Sequence, residues 1–141
     1  MSQINPHITF NGNCRDAITF YKEALDATLE IITVGQSPMA AQFPADKADS
    51  ILHSSLTKGA MVLLASDGIG PDETINPIAN ALSLSLSCST EDELKTYLSN
   101  LSAGGDIIFP LHDFFAGKMA VTRDKFGIKW TIGYYPNQAG A

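Results

Sequence analysis

Two histidines, His7 and His53, can exchange a proton near neutral pH, and both lie in stretches that alternate between apolar and polar residues. In the first stretch Ile4, Ile8 and Phe10 fall on one side, with His7 and Thr9 on the other. Between Ile51 and Thr57, Leu52 and Leu56 face one way and His53, Ser55 and Thr57 the other. Period two is the signature of a strand with one buried face, so the imidazoles and hydroxyls leave that face together. Further on, Ser83, Ser85 and Ser87 alternate strictly with Leu82, Leu84 and Leu86, and Thr131 falls out of phase with Ile128, Trp130 and Ile132. Buried hydroxyls need hydrogen-bond partners. A Ser-x-Ser-x-Ser face therefore either lines a cavity, where water or a ligand supplies them, or meets solvent as one side of an antiparallel sheet. In the cavity reading, His7 or His53 serves as a general base toward a substrate held by the hydroxyl row. The candidate set is His7 and His53 for catalysis, and Thr9, Ser55, Ser83, Ser85, Thr131 and Phe114 for the ligand pocket.

Other reactive side chains divide between chemistry and packing. Cys14 falls in the first turn of a helix, where the dipole could lower its thiol pKa. Cys88 is in phase with Leu84 and Leu86 and reads as a small buried hydrophobe. Neither cysteine lies near a histidine in the sequence, so a thiol nucleophile has little support. The segment from Phe109 to Gly117 reads as a loop whose Phe114 and Phe115 either lid a pocket or bury against a neighbouring surface. Trp130 shares the phase of Ile128 and Ile132 and belongs to the core, and His112 reads as exposed.

The elements that position these residues follow from periodicity and punctuation. After the His7 strand, Asn11-Gly12-Asn13 breaks the pattern. Ala17, Ile18, Tyr21, Ala24 and Leu25 then form the apolar stripe of a helix, with Asn13 as N-cap and Asp26 at its end. Leu29 to Val34, Ile51 to Thr57 and Ala60 to Ser66 read as strands, with a long loop from Gly35 to Asp49. The second half begins with the strand from Leu82. A Thr90-x-x-Glu93 capping box then opens a helix bearing Leu94, Tyr97, Leu98 and Leu101, closed by Gly104-Gly105. Strands are expected at Asp106–Phe109, Met119–Thr122 and Ile128–Tyr135. Each half is thus strand, helix and three strands, a repeat of pattern at roughly 70 residues. The first module spans about 1–67 and the second about 81–135. The stretch 68–80, rich in glycine and proline at its start, links them within a single domain of 141 residues.

Composition bounds the function. Nine Lys and Arg against fifteen Asp and Glu leave a net charge of −6, a poor match to a phosphate backbone, so nucleic-acid binding is disfavoured. The longest apolar run, Ala60 to Ala65, is far short of the ~20 residues that span a bilayer. The opening MSQINPHITF lacks a basic start followed by an apolar core, so no signal peptide is expected. Two lone cysteines without CxxC spacing suit a reduced, cytoplasmic protein.

The stretch from Phe10 to Leu25 resembles the first strand and helix of the vicinal oxygen chelate superfamily, which includes glyoxalase I, extradiol dioxygenases and fosfomycin- and bleomycin-resistance proteins. Three further segments are similar to its PhnB-like branch: the His53 strand, Gly104-Gly105 with Pro110-Leu111 beyond it, and Asp124 to Trp130. The resemblance implies an α+β fold in which two βαβββ modules form a curled, cup-shaped mixed sheet, with helices outside and a cavity inside, and it implies a homodimer. It also implies a divalent metal held by His and Glu on inner strand faces. Here His7 matches the first ligand position, Ser83 and Thr131 stand where His and Glu are expected, and Met61 to Ser66 holds no His, Glu or Asp. Metal sites normally show three protein ligands, so no metal cofactor is expected. A rearranged set, with His7, His53 and Asp67 or Asp113, is the alternative. Relatives often carry a ubiquinone-methyltransferase label, yet the chain has no Gly-rich strand–turn–helix fingerprint, which argues against that activity. The expected function is metal-free binding of a small organic molecule, by sequestration or with histidine acid–base turnover. The alternatives are a metal-dependent lyase or isomerase of glyoxalase type and a drug-sequestering resistance protein, for which the negative charge favours a cationic guest.

Overall fold

A computed structural model describes residues 3–68 and 82–136. The chain divides into two compact units, Met1–Asn76 and Pro77–Ala141. The expected linker falls almost wholly outside the described residues.

The first unit runs β1 (His7–Phe10), α1 (Cys14–Leu25), β2 (Thr28–Thr33), β3 (Ile51–Lys58) and β4 (Met61–Asp67). Its sheet has the order β1-β4-β3-β2, with β1 parallel to β4 and the other pairs antiparallel. The predicted stripe of α1 is buried, joined by Cys14, and the helix lies against β2, β3 and β4. Phe10, Ile51, Leu56, Leu63 and Ala65 are the buried apolar strand residues of this unit. Each Leu- or Ile-sized side chain so buried stabilises by about 1.5–3 kcal/mol, which fixes the register that sends the alternate residues to the other face. Ile51 shares its parity with His53 yet is fully buried. A register shift between Ile32 and Thr33 sets it opposite Thr33 and reverses the phase at that end.

Asn13 occupies the N-cap position of α1, but its side chain makes no cap bond. The capping acceptor comes from the far end of β4. Asp67 Oδ1 accepts from the Cys14 amide at 2.9 Å, and Oδ2 accepts from the Ile51 amide at 2.9 Å. At the other end Asp26 takes the left-handed conformation at φ 52°, and Lys58 Nζ donates to the Leu25 carbonyl at 2.9 Å.

The second unit repeats the topology with β5 (Leu84–Cys88), α2 (Glu91–Ser102), β6 (Asp106–Phe114), β7 (Gly117–Arg123) and β8 (Lys129–Tyr134), in the order β5-β8-β7-β6. The capping box forms in part as expected. Thr90 Oγ1 accepts from the Glu93 amide at 3.0 Å, while Glu93 reaches back to the Ser89 amide rather than to that of Thr90. Leu94, Tyr97, Leu98 and Leu101 are buried. The Gly104-Gly105 turn passes so close to β7 that a Cβ on Gly105 would collide with the Arg123 carbonyl. Asp124 is the buried anchor here. It accepts from the Phe126 and Ile128 amides and, at 2.8 Å, from Trp130 Nε1, and Trp130 is a core residue as its phase predicts.

Several expected boundaries shift, among them the start of β1, at His7 rather than Ile4, and two in the second unit that bear on the candidate residues. β5 starts at Leu84, not Leu82, because its parallel partner β8 begins at Lys129 and the first pair is Leu84 with Trp130. Leu82 and Ser83 therefore precede the strand and are exposed. The expected loop from Phe109 to Gly117 is instead the continuation of β6 and a tight hairpin, with Phe114 paired to Gly117. Pro110 does not end the strand, because β6 is an edge strand and Pro110 lies within the register shift between Phe109 and His112, a position that tolerates the missing amide donor.

Replacing Asp67 by Ala leaves two amides without their acceptor, and the expected loss in urea-unfolding stability is about 2–4 kcal/mol. A loss below about 1 kcal/mol would mean that water satisfies both groups.

Candidate functional site

The face of the first sheet turned away from α1 carries His7, Thr9, His53 and Ser55 of the candidate set. Cross-strand register aligns Glu30, Ser55, Leu64 and His7 in one row. In the next row Ile32 pairs with His53 and Thr9 with Ser66, and the pairing of Ser54 with Ala65 runs His53 toward Ser66. His7 and His53 are exposed, while Thr9, Ser55 and Ser66 are half-buried. The side-chain bond that organises the face joins His7 Nε2 to Ser66 Oγ at 3.0 Å. Ser66 is not among the residues that the sequence marks as candidates. The phase of buried Leu63 and Ala65 was the signal that places it beside His7.

In the second unit, Ser85 and Thr131 are direct neighbours in the β5–β8 ladder and Val121 follows in the same row. Ser85 is exposed and Thr131 half-buried. Ser83 lies outside the strand. Phe114 is half-buried and meets Phe115 and Tyr135 edge to face at 5.3 and 5.7 Å, while Phe115 is 96% exposed. His112 is exposed, with Nδ1 2.8 Å from the Pro110 carbonyl.

Two expectations about reactive groups are overturned. The dipole of α1 does not activate Cys14. The thiol is fully buried, and desolvation, with the Asp67 carboxylate adding to it, pushes its pKa up to about 12. Burial likewise pushes the Cys88 thiol up to about 12, in keeping with its reading as a small hydrophobe. Asp67 is not available to a metal shared with the histidines. It lies on the helix side, with both oxygens taken by backbone amides. Asp113 is paired with Lys118 at 2.6 Å, a contact that holds its carboxyl below the usual range.

Comparison with known proteins defines the class. The family model described as 3-demethylubiquinone-9 3-methyltransferase matches residues 2–133, and the chain belongs to this family, the PhnB-like branch of the glyoxalase, bleomycin-resistance and dioxygenase superfamily. Protein PA1353 from Pseudomonas aeruginosa is 34% identical, with 96% of this chain and 98% of that one aligned at a TM-score of 0.80. Protein YjdN from Escherichia coli strain K12 is 28% identical over 96% of this chain and 97% of its own. The PhnB protein from Bacillus cereus is 24% identical, covering 94% and 99% of the two chains at a TM-score of 0.69. A glyoxylase/bleomycin resistance protein/dioxygenase domain from Frankia shares the fold at 15% identity, covering 100% and 96% of the chains, with a TM-score of 0.66.

The fold family implies a divalent metal, and the family description implies a nucleoside-type methyl donor. The donor chemistry fits neither. Among the described residues no group of three His, Cys, Asp or Glu side chains could hold a metal ion. At the helix N-termini, where an anionic or nucleotide-like group would bind, Asp67 accepts from the Cys14 amide of α1, and Thr90 caps α2, whose first turn carries Glu91, Asp92 and Glu93.

The thiols give a pH dependence with a definite sign. Unfolded cysteines release protons from about pH 9, while the folded thiols hold theirs until about pH 12. Above pH 9 the unfolded state binds fewer protons, so stability falls as pH rises through this window. Urea melts between pH 8 and 11 should show a steeper decline for the parent chain than for Cys88→Ala. Equal slopes would show that the Cys88 thiol ionises alike in both states.

Proposed function

We propose that the chain binds a small organic molecule on the helix-free face of its first sheet, where His7 and His53 exchange protons with it and no metal ion takes part. The observation that carries this reading is the 3.0 Å contact between His7 Nε2 and Ser66 Oγ, beside an exposed ring. An imidazole with one nitrogen held and the other edge open can give or take a proton at a bound molecule. Thr9 and Ser55 supply hydroxyls in the same rows, and Leu64 and Ile32 supply apolar contact. The second unit offers its own hydroxyl pair, Ser85 and Thr131, with Ser83 at the strand entrance and Phe114 on the hairpin. The reactions within reach are proton transfers of the lyase or isomerase kind, not methyl transfer.

A library thermal-shift screen tests binding. A ligand at one hundred times its Kd stabilises by about 2.7 kcal/mol. Zn²⁺, Ni²⁺, Mn²⁺ and S-adenosylmethionine are each expected to leave the melting temperature unchanged, and a clear rise with any of them would overturn the metal-free or the non-methyltransferase reading. For a ligand that is turned over, His7→Ala or His53→Ala should lower the rate about 10²–10⁴-fold. Binding that survives both substitutions, with no turnover, would mark the protein as a sequestering one.

The chain is further proposed to act as a cytoplasmic homodimer. Its buried thiols are unpaired, and edge strand β6 exposes Ile107, Ile108 and Phe109. No helix among the described residues is long and apolar enough to cross a membrane. Light scattering on the eluting protein should give twice the mass of one chain, and a mass of one chain at micromolar concentration would overturn the dimer.

A further inference from the structure

We infer that Ser66 is the positioning residue of His7: its hydroxyl takes the Nε2–H and leaves the Nδ1 lone pair facing outward as the atom that exchanges the proton. The inference rests on the acid–base reading of His7 for its purpose, but its geometry is independent of any ligand. β1 and β4 run in parallel with His7 beside Leu64 and Thr9 beside Ser66, so the ring reaches diagonally to Ser66. The Leu64 amide donates to the Pro6 carbonyl at 3.0 Å, which fixes the start of β1 against β4 just before His7. The backbone thereby sets the distance that the side chains close at 3.0 Å.

The chemistry of the pair decides its role. A serine hydroxyl accepting from Nε2–H keeps that bond in the neutral ring and in the imidazolium alike, whereas a hydroxyl donating to Nε2 would leave Nδ1 without a lone pair for the exchange. With Nε2–H donating to Ser66 Oγ, the Nδ1 lone pair takes a proton from the bound molecule and the ring becomes a cation. The Nε2–H stays in place, and the same proton returns from Nδ1 in the reverse step. No further reactant is needed. The opposite assignment, with Ser66 as a nucleophile activated by His7, needs a third group to orient the imidazole. Among the described residues no carboxylate contacts His7. The other titratable groups on this face are His53 on β3 and Glu30 on β2, and β4 contributes none.

The test uses the ¹⁵N-labelled full chain without ligand. Long-range proton–nitrogen correlation spectra report which ring nitrogen of His7 carries the proton. In the parent chain, above the pH at which the ring titrates, the Nε2–H form should dominate. Ser66→Ala, which is not expected to disturb folding, should shift the tautomer ratio by roughly fivefold, the size of one ordinary hydrogen bond, and Ser66→Thr should restore it. A tautomer ratio unchanged in Ser66→Ala, or a dominant Nδ1–H form in the parent chain, would overturn the inference. Melting curves of both variants verify that they fold, and Ser66→Thr keeps the test open if Ser66→Ala does not. The outcomes separate the two readings. A tautomer shift beside a fruitless ligand screen removes the binding proposal and leaves Ser66 as the determinant of the ring. A ligand that needs His7 beside an unchanged tautomer removes Ser66 and leaves the binding proposal.

Discussion

The arrangement of the first unit depends on one buried carboxylate. Asp67 ends β4, faces the helix side and accepts from the amides that open α1 and β3. Buried amides without acceptors are costly, so a single residue ties the start of the helix, the start of β3 and the end of β4 to one point. Alternation then does the rest. With Asp67 inward, Ser66 must face outward, beside the imidazole that the parallel β1 strand brings alongside. The structural anchor and the candidate site are consecutive residues on opposite faces of one strand.

Asp124 plays a matching part in the second unit, gathering two turn amides and the Trp130 indole ahead of β8. It fixes where β8 begins, and β8 in turn decides how much of the serine-rich segment can pair. The ladder starts at Leu84, so the Ser-x-Ser-x-Ser pattern contributes Ser85 and Ser87 to the sheet and leaves Ser83 before it. The hydroxyl face is thus shorter than its sequence pattern.

The family name and the site point to different chemistry. A methyltransferase description implies a bound nucleoside-type donor, whereas both helix N-termini here carry carboxylates of their own. The superfamily's metal chemistry needs several convergent donors, and the helix-free face of the first sheet offers two imidazoles, short hydroxyls and Glu30. What that face does provide is an imidazole held by a serine hydroxyl, the feature on which the proton-exchange proposal rests. The fold is shared widely, and the side chains grafted on it decide the activity.

The sequence by itself determined the order of elements, the two-fold pattern of strand, helix and three strands, and the faces of β1, of β3 beyond Ile51, of β5 and of β8. Periods of two and of 3.6 are local properties, which is why the stripes of α1 and α2, the core position of Trp130 and the exposure of His7 and His53 were all legible. Tertiary structure alone decided features that depend on residues far apart in the chain. Asp67 replaced Asn13 as the cap of α1 across more than fifty positions. Burial overrode the helix dipole at Cys14, because the cost of a buried thiolate exceeds the help of partial charges at a helix end. Edge placement let β6 run through Pro110, and strand register brought Ser66 to His7. Those outcomes depend on which groups share a buried point or neighbouring strands, and no local period encodes that.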